Sequence, residues 1–295
     1  FDQYGGSWAD AEKRPGDDGY LNPAPVNPGE EDDLMCWAAT VSNILEYSGW
    51  GYVHQPGLQT MEQNDADWIF QYYQDHIHDD GGFIRNGLGW WFTDFNDATG
   101  EDVPGGEFWP AALYPWENYV TDSNDISQTM QFISSHMNAH GSAIGLGIRS
   151  NNAPGHAITC WGYAYDPTVN PLIDPHNYYL GIWTTDSDSD KGTNTPPDKL
   201  TYNTIDWDAA NGRWKFTSGY GDYFIVGATA LKPFPEDRPL AKAGTSYTGL
   251  EGREIVFNGG SSTDSDSTTL YYRWDFDGDG DWDTDFSTSS TASKT

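Results

Sequence analysis

"DDLMCWAATVSNILEY", residues 32–47, places a thiol directly after a pair of acids and at the start of an amphipathic run. Trp37, Val41, Ile44 and Leu45 recur with the period of a helix; Asp32 or Asp33 is available to cap its start and Gly49 or Gly51 to end it. Cys36 then falls in the first turn, where unpaired backbone N–H groups and the helix dipole favour a thiolate. A lone cysteine in an apolar run is otherwise a small core hydrophobe. A catalytic role therefore requires a histidine base and an acceptor that orients it, both brought close by the fold.

Two later segments offer these groups. His156 opens the strand-like "HAITCWGYAY" just after the loop "NNAPG", and "GIWTTDSD" ends in Asp186 and Asp188, which alternation along a strand puts on one face. A thiol at a helix start, an imidazole at one strand and a carboxylate at the end of the next make a nucleophile, a base and an orienting acceptor. Each has a plain alternative: a loop histidine, an acidic turn, or a Cys36–Cys160 disulfide. Cys160 lies within an apolar strand and Cys36 at a polar helix start, and that contrast predicts two unpaired thiols, with Cys160 buried.

The rest of the chain sorts into helices first and strands later. Trp68, Ile69, Tyr72 and Tyr73 share a face in "MEQNDADWIFQYYQDHI". In "SNDISQTMQFISSHMNAHG", Ile126, Met130, Ile133 and Met137 form an inward stripe between a cap at Ser123 or Asn124 and a stop at Gly141. Residues 79–122 are rich in glycine and aromatics and carry no clear period. From Ser142 to Leu231 follow strands, so residues 1–235 read as one α+β domain with an antiparallel sheet. Residues 236–240 end the proline-rich linker "KPFPEDRP", and 241–295 read as short strands with acidic turns.

Composition narrows the function classes. The chain has 295 residues and a formal charge of −31, which repels nucleic acid and anionic membranes. No apolar stretch reaches the roughly 18–20 residues of a membrane span, so no membrane insertion is expected, and the first residues do not read as a secretion signal.

"DDLMCWAATVSNILEY", "GHAITCWGY" and "GIWTTDSDSD", in this order, resemble the Cys, His and Asp segments of the immunoglobulin-degrading secreted cysteine endopeptidases of the IdeS/Mac type, in the papain superfamily. The likeness rests on the strings "DDL-x-C-x-AAT" and "TDSDS" as well as on the catalytic letters. It implies a papain-like fold, an extracellular enzyme, a protein substrate, no cofactor for catalysis, Cys36 as nucleophile, His156 as base, Asp186 as the acceptor that orients it and Asp188 as a supporting acid. Trp37 after the thiol is also similar to papain-like enzymes. The family places a lysine about ten residues before the nucleophile and papain a glutamine; neither occurs between Tyr20 and Cys36, which leaves Asn27 or Asn22 as side-chain donors to an oxyanion.

The tail is similar to a different family. "GREIVFNGGSSTDSD" and "LYYRWDFDGDGDWDTD" resemble the first part of a PKD repeat, an immunoglobulin-like β-sandwich, whose closing strands are expected beyond Thr295. This implies attachment to a cell surface or matrix. Asp275, Asp277 and Asp279 repeat every second residue as in a calcium loop, although Phe286 stands where that loop has its glutamate. Two rival functions remain: a non-catalytic adhesive protein that uses aromatics such as Trp90, Trp91 and Trp109, and an acyltransferase with the same triad.

Overall fold

Helix α1, Cys36–Ser48, is buried along most of its length. It belongs to a computed structural model that describes residues 8–13, 32, 34–54, 62–63, 65–79, 81–94, 103, 105–123, 125–188, 198–235, 239–244, 247–250, 252–264, 267, 269–277 and 282–295. Gly49 ends α1 in the left-handed conformation at φ 80°. The expected cap differs. Met35 holds the N-cap position without a side-chain bond, while Asp32 turns inward and accepts from Gln74 Nε2 at 3.3 Å. Asp33 lies outside the described residues.

The short pair β1 (Val53–His54) and β2 (Glu62–Gln63) precedes α2 (Ala66–His76), which Asp65 caps by accepting from the Asp67 and Trp68 amides. Helix α3 (Ile84–Thr93) carries two glycines, which hid it from periodicity. One is required: a Cβ on Gly87 would stand 2.8 Å from the Trp37 ring, so glycine lets α3 lie against α1. Trp90 and Trp91 are fully buried and Trp109 is partly buried, with its indole N–H on the Trp50 carbonyl at 3.1 Å. These tryptophans build core and do not form the surface strip that the adhesive alternative needs.

Strand β3 (Val120–Asp122) leads through a 3₁₀ turn (Ile126–Gln128), whose first amides Asp125 caps, into α4 (Thr129–His140). Met130 and Ile133 are buried as expected, but Ile126 is exposed. The tighter 3₁₀ turn breaks the helical phase, so the inward stripe begins at Met130. Asn124 lies outside the described residues.

The second half is sheet. Its strands are β4 (Ala143–Arg149), β5 (His156–Tyr165), β6 (Tyr179–Thr185), β7 (Thr201–Asp208), β8 (Arg213–Phe216) and β9 (Phe224–Leu231), with a single turn, α5 (Pro175–Tyr178), before β6. All pairings are antiparallel in the order β3-β9-β4-β5-β6-β7-β8, and β8 returns to β9 at Lys215 and Phe224. Six strands thus close a barrel, with β3 beside the far end of β9. The fold is α+β with an antiparallel sheet. Alternation on β5 serves two cores: Ala157 and Trp161 meet the helices, while Ile158 and Cys160 join Ile144, Leu146, Ile182, Trp214 and Ile225 inside the barrel.

Beyond the linker, β10 (Ile255–Asn258) pairs with β11 (Thr291–Lys294), and single bridges join Leu240 to Thr263 and Tyr272 to Ser287. Arg273 reaches the larger unit, donating to the Gly106 carbonyl at 3.2 Å and to that of Glu107. Its guanidinium also lies over Trp282 and Phe286. Among the described residues no helix is long and apolar enough to cross a membrane.

Candidate active site

Because β5 and β6 run antiparallel with Thr159 opposite Thr185, β5 begins and β6 ends at the same rim of the barrel. His156 and Asp186 therefore meet, with Nε2 2.7 Å from Asp186 Oδ1 and 3.9 Å from Asp188 Oδ2. The start of α1 packs across this rim. The Cys36 sulfur faces His156 and the Ala157 amide closely enough for both to act on its titration. With Nε2 facing Asp186, Nδ1 is the ring nitrogen left for the sulfur. Asp186 is fixed further by the Asp188 amide at 3.0 Å and by the Tyr220 hydroxyl, so both acids predicted from the strand end do reach the site.

The electrostatics favour an ion pair. Burial alone would push the Cys36 thiol up, but the hydrogen bond and positive charge of His156, with help from Lys13 and the Ala157 amide, bring it below its ordinary value. Burial likewise opposes the His156 imidazolium, yet the bonds to Asp186 and Cys36 prevail and raise it to about 10. Asp186 is also buried, which disfavours its charge, but His156 holds it below the usual carboxylate range. No acid occupies the first turn of α1 to offset the dipole at the sulfur. Cys160, three residues beyond Ala157, is free like Cys36, but burial pushes it to about 12.

One charged residue at the site went unnoticed in the sequence. Residues 8–13 form a strap beside the end of β6: Lys13 N–H bonds the Ser187 carbonyl at 3.0 Å, and the Thr185 hydroxyl bonds the Ala9 carbonyl at 3.0 Å. Asn43 of α1 ties the same elements together, accepting the Ala11 amide at 2.7 Å and donating to Thr159 at 3.0 Å. The strap delivers Lys13, 1 % exposed, whose Nζ lies 2.6 Å from Asp188 Oδ1 and whose charge bears on Cys36. The alternation of Ala9, Ala11 and Lys13 with acids in "WADAEK" was the available signal for an extended, half-buried segment. Asn27 and Asn22 lie outside the described residues.

Two clusters have spacing suited to a cation. His156, Asp186 and Asp188 form one, but the Lys13 ammonium already sits on Asp188 and the imidazole on Asp186. The other is Asp275, Asp277 and Asp283, with Asp283 in place of the expected Asp279, which lies outside the described residues. Lys294 Nζ stands 3.5 Å from Asp277 and 3.3 Å from Asp283, so a side-chain cation serves this cluster.

No protein-family model matches the chain, and no curated protein matches it.

Proposed function

We propose that the protein is an extracellular cysteine endopeptidase of papain-like fold, with residues 1–235 as catalytic unit and 241–295 as an immunoglobulin-like module for surface or matrix attachment. The observation that carries the reading is the His156–Asp186 pair, 2.7 Å apart, set against Cys36 at the N-terminus of a buried helix, where the imidazole lowers the thiol pKa. The Cys36 thiolate attacks the scissile carbonyl carbon, and the carbonyl π electrons move to oxygen. The Cys36 amide and the Lys13 ammonium are suited to stabilise that oxyanion, beside Asn27, the donor expected from the sequence. The intermediate collapses, the C–N bond breaks, and His156 gives its proton to the leaving amine. Neutral His156 then removes a proton from water, whose oxygen attacks the thioester; the acid product leaves and the thiolate–imidazolium pair returns. No metal or organic cofactor is needed for this sequence.

The adhesive alternative loses its motive, because Trp90 and Trp91 are buried. Near the thiol, Gly82 packs against Trp37, and its neighbour Phe83 is 74 % exposed. The test is a library of unstructured peptides with the wild type and Cys36→Ala. Internal cleavage by the wild type alone, blocked by a peptidyl epoxide that labels Cys36, supports the reading. A labelled but non-hydrolysing protein that passes acyl groups to added amines would make it a transferase.

A further inference from the structure

Asn43, Thr159 and Thr185 put polar side chains into the interface between α1 and the sheet, and all three are buried. Thr159 of β5 and Thr185 of β6 stand opposite each other in register. Asn43 lies across that pair: Nδ2 donates to Thr159 Oγ1 at 3.0 Å and reaches Thr185 Oγ1 at 3.5 Å, while Oδ1 accepts the Ala11 amide of the strap at 2.7 Å. The Thr185 hydroxyl closes the set, accepting from Trp161 Nε1 at 2.9 Å and donating to the Ala9 carbonyl at 3.0 Å. A donor for its oxygen and acceptors for its nitrogen fix the orientation of the carboxamide. An apolar side chain in its place would leave the buried Ala11 N–H without this acceptor.

Each element in this joint carries one group of the candidate site. Cys36 stands seven residues before Asn43, about two turns along the same face of α1. Lys13 lies two residues after Ala11, His156 three before Thr159, and Asp186 directly after Thr185. The register that sets Thr159 opposite Thr185 is also the one that brings His156 Nε2 within 2.7 Å of Asp186. A slip of one residue in β6 would turn Thr185 to the other face and carry Asp186 away from the imidazole. A buried polar network whose members are satisfied in only one arrangement selects that arrangement among packings that apolar contacts alone would tolerate. We propose that Asn43 is a positioning residue, whose carboxamide locks α1, the strap, β5 and β6 in the arrangement where Cys36, Lys13, His156 and Asp186 converge.

The effect on turnover rests on the peptidase reading, but the positioning is measurable without it. The rate at which iodoacetamide alkylates Cys36 is followed against pH in the folded wild type and in Asn43→Leu, which keeps the volume and removes the polar groups. In Asn43→Leu the midpoint should rise toward that of an ordinary thiol, about 8.5, so that labelling at about pH 6 falls by roughly tenfold or more. Thr185→Val keeps the side-chain shape, removes the shared hydroxyl from a different element, and should move the midpoint in the same direction; it serves where Asn43→Leu does not fold. The double variant should move it no further than the larger single one, because both break one joint, and full additivity would count against that joint. With peptides, both single variants should lower kcat and leave KM nearly unchanged. A variant that melts at a lower temperature yet titrates Cys36 as the wild type does would show that Asn43 only stabilises the fold, and would overturn the proposal. A shifted midpoint in a protein that cleaves no peptide supports the positioning and counts against the peptidase.

Discussion

The rim and the interior of strand β5 each hold a thiol and treat it in opposite ways. At the rim, Cys36 meets an imidazolium, an amide and a buried ammonium, and its pKa falls despite burial. Inside the barrel, Cys160 meets aliphatic side chains and a single carbonyl, that of Gly162 at 3.6 Å, and its pKa climbs to about 12. Burial is common to both, so what separates a reactive thiol from a packing residue is the set of positive partners that outweigh desolvation.

The sharpest way to break this comparison is to remove the rim thiol. Cys36→Ala should lose turnover on the order of 10⁶-fold, as loss of a nucleophile does, while Cys160→Ala should keep its rate and lose about 1 kcal/mol or more of stability through a small cavity. Iodoacetamide labelling of the native protein followed by mass spectrometry should modify Cys36 at mildly acidic pH, where an ordinary thiol is protonated, and leave Cys160 untouched until unfolding. Equal labelling of both would end the distinction.

Why one thiol was recognisable in the sequence and its ammonium was not follows from where each signal resides. Cys36 sits at the start of an amphipathic helix, and His156 and Asp186 sit at strand ends; each position is marked by local periodicity. Antiparallel pairing then fixes their meeting, because a strand that leaves the rim must return to it. Lys13 lies 23 positions before Cys36 in a stretch of acids and glycines, and its place depends on Asn43 and Thr185, which only the folded chain brings together. Helix α3 was hidden for a related reason: Gly87 lowers helix propensity and is there for the Trp37 contact. β7 (Thr201–Asp208) carries a weak apolar alternation, since the polar Asn203 is buried beside Ile205 and donates to Thr184.

Smaller changes sharpen the account of the rim. Asp186→Asn should cost roughly 10²–10⁴ in kcat, because the amide no longer stabilises the imidazolium, and the acid limb of the rate profile should move upward as the Cys36 thiol loses its charged partner. Lys13→Met, of similar length but neutral, should cost about 10²–10³ in kcat with little change in KM if the ammonium serves the oxyanion. A KM effect alone would give Lys13 a role in binding instead. Tyr220→Phe removes one donor to Asp186 and should cost about tenfold, the worth of one hydrogen bond to a charged group.

The smallest effect on rate is expected from the tail, where the comparison passes from the chemistry to its support. Arg273 donates to the Gly106 and Glu107 carbonyls, and that loop is held on its other side by Trp90, Asp94 and Tyr72. Helix α3, which carries Trp90, touches Trp37 at Gly87, so the tail is linked to the residue after Cys36 by packing and not by any polar group at the site. Truncation after Pro235, or Arg273→Met in the full chain, should therefore change kcat/KM on a short peptide by less than about threefold. The Arg273 bonds and ring contacts are together worth about 1–3 kcal/mol, so the melting temperature should drop by about 2–4 °C per kcal/mol lost. A truncated protein that stays folded but loses its peptidase rate would show that the tail shapes the cleft. An unchanged melting temperature in Arg273→Met would show that the two units are held together by something other than this arginine.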